Sequence, residues 1–183
     1  ILKVMKSLIR EYTDSQIMVL CHNRSMLKYF YETIVHENFA TTGYYVGGMK
    51  QIDLQETETK QIVLATYAMA AEALDIKTLS ILIMASPKTD ITQSVGRILR
   101  VKHENPIIVD IIDSHDLYQS QWNRRRQFYK KCNYRILKSD SNKYNNENTD
   151  WKLIYEPKTN SKQESTEDIT GFGKCIIDIN QFK

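Results

Sequence analysis

The sequence predicts an α/β fold, a parallel sheet flanked by helices on both faces. Three observations lead there. Four short apolar runs are rich in Ile, Val and Leu, as strands buried on both faces require. Between the first runs lie segments whose apolar residues recur every three or four positions, the period of a helix packed on one side. Several runs also end in loops rich in Gly, Asn, Thr or Asp, which suit the strand ends of a layered α/β fold.

Residues 2–12 place Leu2, Met5, Leu8, Ile9 and Tyr12 at helical spacing, and the turn-like Thr13-Asp14-Ser15 closes the segment. IMVLC (17–21) is the first strand. In the following CHNRS, Asn23 is a plausible helix cap, and Leu27, Phe30, Tyr31, Ile34 and Val35 continue at spacings of three and four. GYYVGG (43–48) is a short strand opening into a glycine loop. QIVLAT (61–66), LSILIMAS (79–86) and IIVDIID (107–113) complete five strands within residues 1–115. Residues 117–135 read as an amphipathic helix, with Tyr118, Trp122, Tyr129 and Cys132 along one side. The chain then turns polar, with WKLIYEP as an apolar island, before GFGKCIIDINQFK recovers a strand-like pattern that could return to a sheet edge or belong to a further stretch of chain. The expected division is 1–138 for the lobe and its basic C-terminal helix, 139–168 for a polar, weakly ordered linker, and 169–183 for a terminal strand-like segment.

The 183 residues are 42% hydrophobic and 26% charged, enough apolar material for one domain with an appendage. No apolar run approaches the roughly 20 residues that span a bilayer, so no membrane partner is expected. Cys21, Cys132 and Cys175 are odd in number and far apart, which fits free thiols in a reducing compartment and offers no zinc or other metal site. The first residue is Ile1 rather than methionine, as expected of a piece of something longer. Net charge is only +3, but seven bases and no acid lie between Leu117 and Ser139: Arg124, Arg125, Arg126, Lys130, Lys131, Arg135 and Lys138. That cluster suits either a solvated helix face packed by its aromatics or a nucleic-acid contact.

Ligands of open α/β folds bind beyond the carboxyl ends of the strands, which makes four loops the candidate site. In QSVGRILR (93–100), a helix capped by Thr89 or Asp90 would gather Gln93, Arg97 and Arg100 within roughly 60° and turn Ile91, Val95 and Ile98 to the core. Gly96 lies beside this stripe, where a missing side chain admits another backbone or a ligand. An isolated RxxR is more often a solvated surface, since arginines are usually exposed. In ATYAMAAEALD, Thr66 can offer a hydroxyl and backbone N–H to a phosphate and Asp75 can accept from a ribose hydroxyl; a helix cap and a turn residue are the plainer readings. CHNRS and YVGGMK each join polar groups to a cation, Arg24 and Lys50, which suits a phosphate backbone, although a cap and a tight turn explain them too. No GxxxxGK[ST] phosphate cradle occurs anywhere.

Taken together and in order, these pieces resemble the second RecA-like lobe of superfamily 2 helicases, and the following SQWNRRRQFYKKCNY (120–134) resembles the C-terminal part of the related helicases of large DNA viruses, including the poxvirus transcript-release type. VLCHNRS resembles motif IV, ATYAMAAEALDI motif V and QSVGRILR motif VI, over about residues 1–115. The resemblance implies a RecA-like parallel sheet and an ATP site in a cleft between two lobes, with the phosphate loop and the acidic Mg²⁺-binding motif on an N-terminal RecA-like lobe of the same protein. It implies catalytic roles for Arg97 and Arg100, with Arg100 as the arginine finger, and nucleotide contacts from Asp75, Gln93 and Gly96. Asn23, Arg24, Lys50 and Thr66 would line the path of bound DNA or RNA. Two departures stand out: Ala73 replaces the glycine of the motif V EGLD pattern, and Ser94 stands where relatives carry a third arginine.

The expected function is therefore the second motor lobe of an ATP-dependent nucleic-acid helicase, inactive alone, using ATP and Mg²⁺ bound mainly by the first lobe. Its expected place is intracellular: host cytoplasm (the viral factory) or the virion if viral. Two rivals remain, a double-strand DNA translocase that separates no strands and a non-catalytic basic nucleic-acid-binding module built on residues 124–138 with Trp122, Phe128, Tyr129 and Tyr134.

Overall fold

The protein is described here by a computed structural model covering residues 1–72, 76–92, 95–96, 106–144, 149–157 and 174–180. Helix α1 (Leu2–Glu11) precedes β1 (Gln16–Cys21), and α2 (Arg24–Glu37) leads to β2 (Thr42–Tyr45). After α3 (Gln51–Thr57) come β3 (Ile62–Thr66), α4 (Tyr67–Glu72), β4 (Leu79–Met84) and β5 (Ile107–Asp113). Helix α5 (Asp116–Lys131) is followed by β6 (Arg135–Asp140), a 3-10 turn (Ser141–Lys143), β7 (Lys152–Tyr155) and β8 (Lys174–Asn180).

All eight strands form one sheet in the order β2-β3-β1-β4-β5-β8-β6-β7. Every pairing is parallel except β6 with β7. The five strands expected in residues 1–115 occupy β2 to β5 of this order, and the RecA-like α/β expectation holds. Strand alternation divides the core into two layers. Ile17, Val19, Cys21, Leu64, Ile81, Ile83 and Val109 face α1 and α2, meeting Met5, Leu8, Leu27, Phe30 and Ile34. Met18, Leu20, Val63, Ala65, Leu82, Met84 and Ile108 face the other way, toward Leu54, Tyr67, Ile91, Val95, Trp122 and Tyr129. The near-continuous apolar runs follow from this double burial.

A close contact fixes α3 against β2. A Cβ on Gly43 would lie 2.7 Å from Thr57 Oγ1 and 2.9 Å from Thr57 Cγ2, so the buried threonine packs where only glycine leaves room.

The last third differs from the sequence expectation at the end of its helix. The helix stops at Lys131 rather than continuing to 135, because Asn133 takes a left-handed conformation (φ 58°), which a short polar side chain tolerates. Tyr134 N–H then bonds the Tyr129 carbonyl (2.9 Å) and Arg135 opens β6, which runs across the expected 138/139 boundary. The apolar island after the polar stretch supplies β7, antiparallel to β6. Residues Lys174–Asn180 lie between β5 and β6, inside the sheet rather than at its edge.

Candidate nucleotide and nucleic-acid face

Because β1 to β5 run parallel, their carboxyl ends open on one edge. Register brings the loops together there: Cys21 lies opposite Thr66, Tyr45 opposite Ala65, and Leu20 opposite both Ala65 and Met84. The loops after β1, β2, β3 and β4 are therefore neighbours.

The loop after β1 is built by Asn23. Its Oδ1 accepts from Ser25 N–H at 2.8 Å, which caps α2, so this oxygen is committed to the helix while the residue stays exposed. Arg24 Nη2 donates to the Gly47 carbonyl at 2.7 Å, tying the first loop to the second. Gly48 has φ +88°, a left-handed turn that returns the chain toward α3. Lys50 is the N-cap residue of α3 through its backbone, its carbonyl accepting from Leu54 N–H, and its side chain is exposed. Thr66 is half-buried at the end of β3. The structure thus gathers Asn23, Arg24 and Thr66 with the Gly47–Lys50 loop along one edge.

The segment after β4 is anchored by three side chains. His22 N–H donates to Ser86 Oγ (3.0 Å), and His22 Nε2 lies 3.1 Å from the Pro87 carbonyl oxygen. Tyr67 O–H donates to the Ser86 carbonyl at 2.6 Å, and the Lys88 ammonium sits 4.8 Å from the Tyr67 ring centroid. Burial and the nearby Asp110 carboxylate hold the Tyr67 phenol well above the ordinary tyrosine range, so it stays a donor. The third anchor is Arg125 of α5, whose Nη1 donates to the Lys88 carbonyl at 2.8 Å.

That segment leads into a helical turn. Asp90, not Thr89, is the cap: its Oδ1 accepts from Thr92 N–H at 3.0 Å, and the bonds from Thr92 hold its carboxyl below the usual range. Val95 N–H bonds the Ile91 carbonyl at 2.8 Å, and both side chains are buried as the helical stripe requires. Gly96 is exposed, and a Cβ there would meet nothing within 4 Å, so no packing among the described residues demands a glycine. Asp75, Gln93, Arg97 and Arg100 lie outside the described residues. Among the described residues no cluster of three or more His, Cys, Asp or Glu could hold a metal ion.

The sequence profile of the helicase conserved C-terminal domain matches residues 1–102. The chain belongs to that family. A protein of Acanthamoeba polyphaga mimivirus, provisionally named an ATP-dependent RNA helicase, is 40% identical over 138 residues, covering 72% of this chain and 27% of the relative. An African swine fever virus protein with the same provisional name is 28% identical over 161 residues, covering 82% of this chain and 31% of its own length. This helicase domain therefore spans about a third or less of the curated relatives it matches. Among solved structures, the C-terminal part of the Fun30 ATPase domain aligns with TM-score 0.57 and 11% identity over 67% of this chain and 42% of that one. The C-terminal domain of the DEAD-box protein Dbp5 aligns with TM-score 0.54 and 14% identity over 71% and 77% respectively. Identities this low speak for the fold alone.

The basic helix of this helicase domain needs correction. Arg125 is no surface cation: it is 1% exposed and forms a bidentate pair with Asp110, Nε to Oδ2 at 2.7 Å and Nη2 to Oδ1 at 2.9 Å. Tyr129 O–H donates to the same carboxylate at 3.1 Å. Burial pushes the Asp110 carboxyl up, and these donors pull against it. Trp122, Tyr129 and Tyr134 are buried in the lobe, so they present no free ring to a base. The inward stripe of α5 is Trp122, Arg125 and Tyr129, at i, i+3 and i+7, while Cys132 is exposed. Sequence reading missed the pair because Asp110 sits inside an apolar strand and Arg125 inside a basic run. The acid in the middle of IIVDIID, flanked on both sides by apolar residues, is the signal that could have found it, since a buried carboxylate requires a cation. It missed His22, Tyr67 and Lys88 because their roles arise only from loops meeting across the sheet.

Proposed function

We propose that this chain is the second motor lobe of an ATP-dependent superfamily 2 nucleic-acid helicase. The family match over residues 1–102 carries the reading, and the arrangement of the carboxyl-end loops supports it. Asn23, Arg24, Lys50 and Thr66 belong to three loops on one edge, which suits a strand held by its phosphates. The segment anchored by His22, Tyr67 and Arg125 leads into the motif VI residues Gln93, Gly96, Arg97 and Arg100. In this reading the two guanidiniums stabilise negative charge developing on the transferred phosphoryl group, and Arg100 is the finger. Asp75 and Gln93 contact the nucleotide. Mg²⁺, held with ATP mainly by the preceding lobe, would neutralise phosphate charge. The viral relatives support work within an infected cell or a virion.

The buried side chains of Trp122, Arg125 and Tyr129 weigh against a simple basic binding module. The full-length protein tests the proposal: ATP hydrolysis should rise severalfold on adding single-stranded RNA or DNA. Strand displacement should accompany it, whereas triplex displacement without strand separation would favour the translocase. No stimulation by any strand would contradict the motor reading.

A further inference from the structure

Arg125 belongs to none of the motif IV, V and VI stretches, yet its guanidinium is divided between two tasks. Two donors, Nε and Nη2, satisfy Asp110. The third contact, from Nη1, goes to the Lys88 carbonyl at 2.8 Å. Two residues beyond Lys88, Asp90 caps the helical turn that Ile91 and Val95 dock on the core. The Asp110 pair needs only part of the fork, and Tyr129 O–H adds a further donor there, so neutralising Asp110 does not require the Lys88 contact. That contact instead fixes the backbone where the chain leaves β4 and turns toward QSVGRILR. The other anchors, His22 and Tyr67, bond Ser86 and Pro87, and Arg125 bonds the Lys88 carbonyl, nearer the cap.

We propose that Arg125 is a positioning residue for phosphoryl transfer, fixing through the Lys88 carbonyl the Lys88–Asp90 backbone from which the sequence runs on to Arg97 and Arg100. The inference rests on the motor-lobe reading. A finger acts only where charge develops, and misplacement by about 1 Å can cost on the order of a hundredfold in rate. Arg125 therefore governs turnover without touching the nucleotide.

The test uses the full-length protein. Arg125→Lys keeps a cation for Asp110 and removes the fork that also reaches Lys88. The expected result is a fall of about 10- to 100-fold in strand-stimulated kcat, with KM for ATP within about twofold. Because Arg125 acts through the finger, adding Arg125→Lys to Arg100→Ala should slow hydrolysis no further than Arg100→Ala alone. Amide hydrogen exchange should quicken at Thr92 and Val95 and stay slow at Ile83 and Val109. Unchanged kcat, or losses that multiply in the double variant, would overturn the proposal, since a merely structural role gives one or the other. If Arg125→Lys does not fold, Asp110→Leu with Arg125→Met removes both the pair and the Lys88 contact without leaving a lone charge, and the same outcomes apply. If Arg100→Ala itself hydrolyses ATP normally, the motor reading fails separately. That outcome overturns the role in phosphoryl transfer as well, whereas unchanged exchange at Thr92 and Val95 beside a slow Arg100→Ala overturns the positioning by Arg125 alone.

Discussion

Truncating Arg125 to alanine should be among the most damaging single changes in the lobe. The guanidinium and the Asp110 carboxylate are each 1% exposed, and two bonds of 2.7 and 2.9 Å join them. Removing one partner leaves the other buried and uncompensated, at a cost of about 3–5 kcal/mol. Among the described residues Tyr129 O–H would remain as the hydrogen-bond donor to Asp110, and the Lys88 carbonyl would lose the Arg125 bond. For a chain of this size each kcal/mol moves Tm by about 2–4 °C, so the melting temperature should fall by about 6 to 20 °C. Urea unfolding and thermal melts followed by circular dichroism measure this directly. Replacing the pair together, as Asp110→Leu with Arg125→Met, should recover most of the loss, because no lone charge remains. Arg125→Ala within about 1 kcal/mol of the wild type would refute the reasoning, and so would a double variant no better than the single.

Local geometry sets the remaining expectations. Gly43→Ala should cost about 1–3 kcal/mol by driving a Cβ into Thr57, and Thr57→Ala in the same chain should restore part of it; equal losses in both, read by urea midpoint, would contradict the contact. Asn23→Ala should cost about 1 kcal/mol through loss of the α2 cap, an effect that Asn23→Asp should largely avoid. Burial, and then the hydrogen bond to Glu58, push Tyr45 up to about 12. A raised folded pKa means stability fully present below the unfolded value near 10 and lost as pH climbs toward 12. Denaturation midpoints should therefore fall above pH 10, and less steeply in Tyr45→Phe.

Most of the five-stranded layer was legible because parallel strands buried on two faces are mainly apolar, and 17–21, 61–66, 79–86 and 107–113 are mainly Ile, Val, Leu, Met and Ala. The α2 cap was legible for the same local reason, since Asn23 directly precedes an amphipathic run. Ile91 and Val95 are buried as their spacing requires. What escaped depends on contacts distant in sequence. Arg125 and Asp110 are 15 residues apart, and although Arg125 shares the helical phase of Trp122 and Tyr129, nothing local pairs it with Asp110. The turn at Asn133 escaped because a left-handed asparagine ends a helix whose basic pattern continues past it. His22 and Tyr67 gained their roles only when parallel pairing set β1, β3 and β4 side by side, with ring centroids 4.6 Å apart.

The most direct measurement of the central claim is single-turnover ATP hydrolysis by the full-length protein with bound strand, comparing wild type with Arg100→Ala. The motor-lobe reading predicts ATP affinity within a few fold and a hydrolysis step slowed by about 10³ or more. Hydrolysis by Arg100→Ala at the wild-type rate would contradict it.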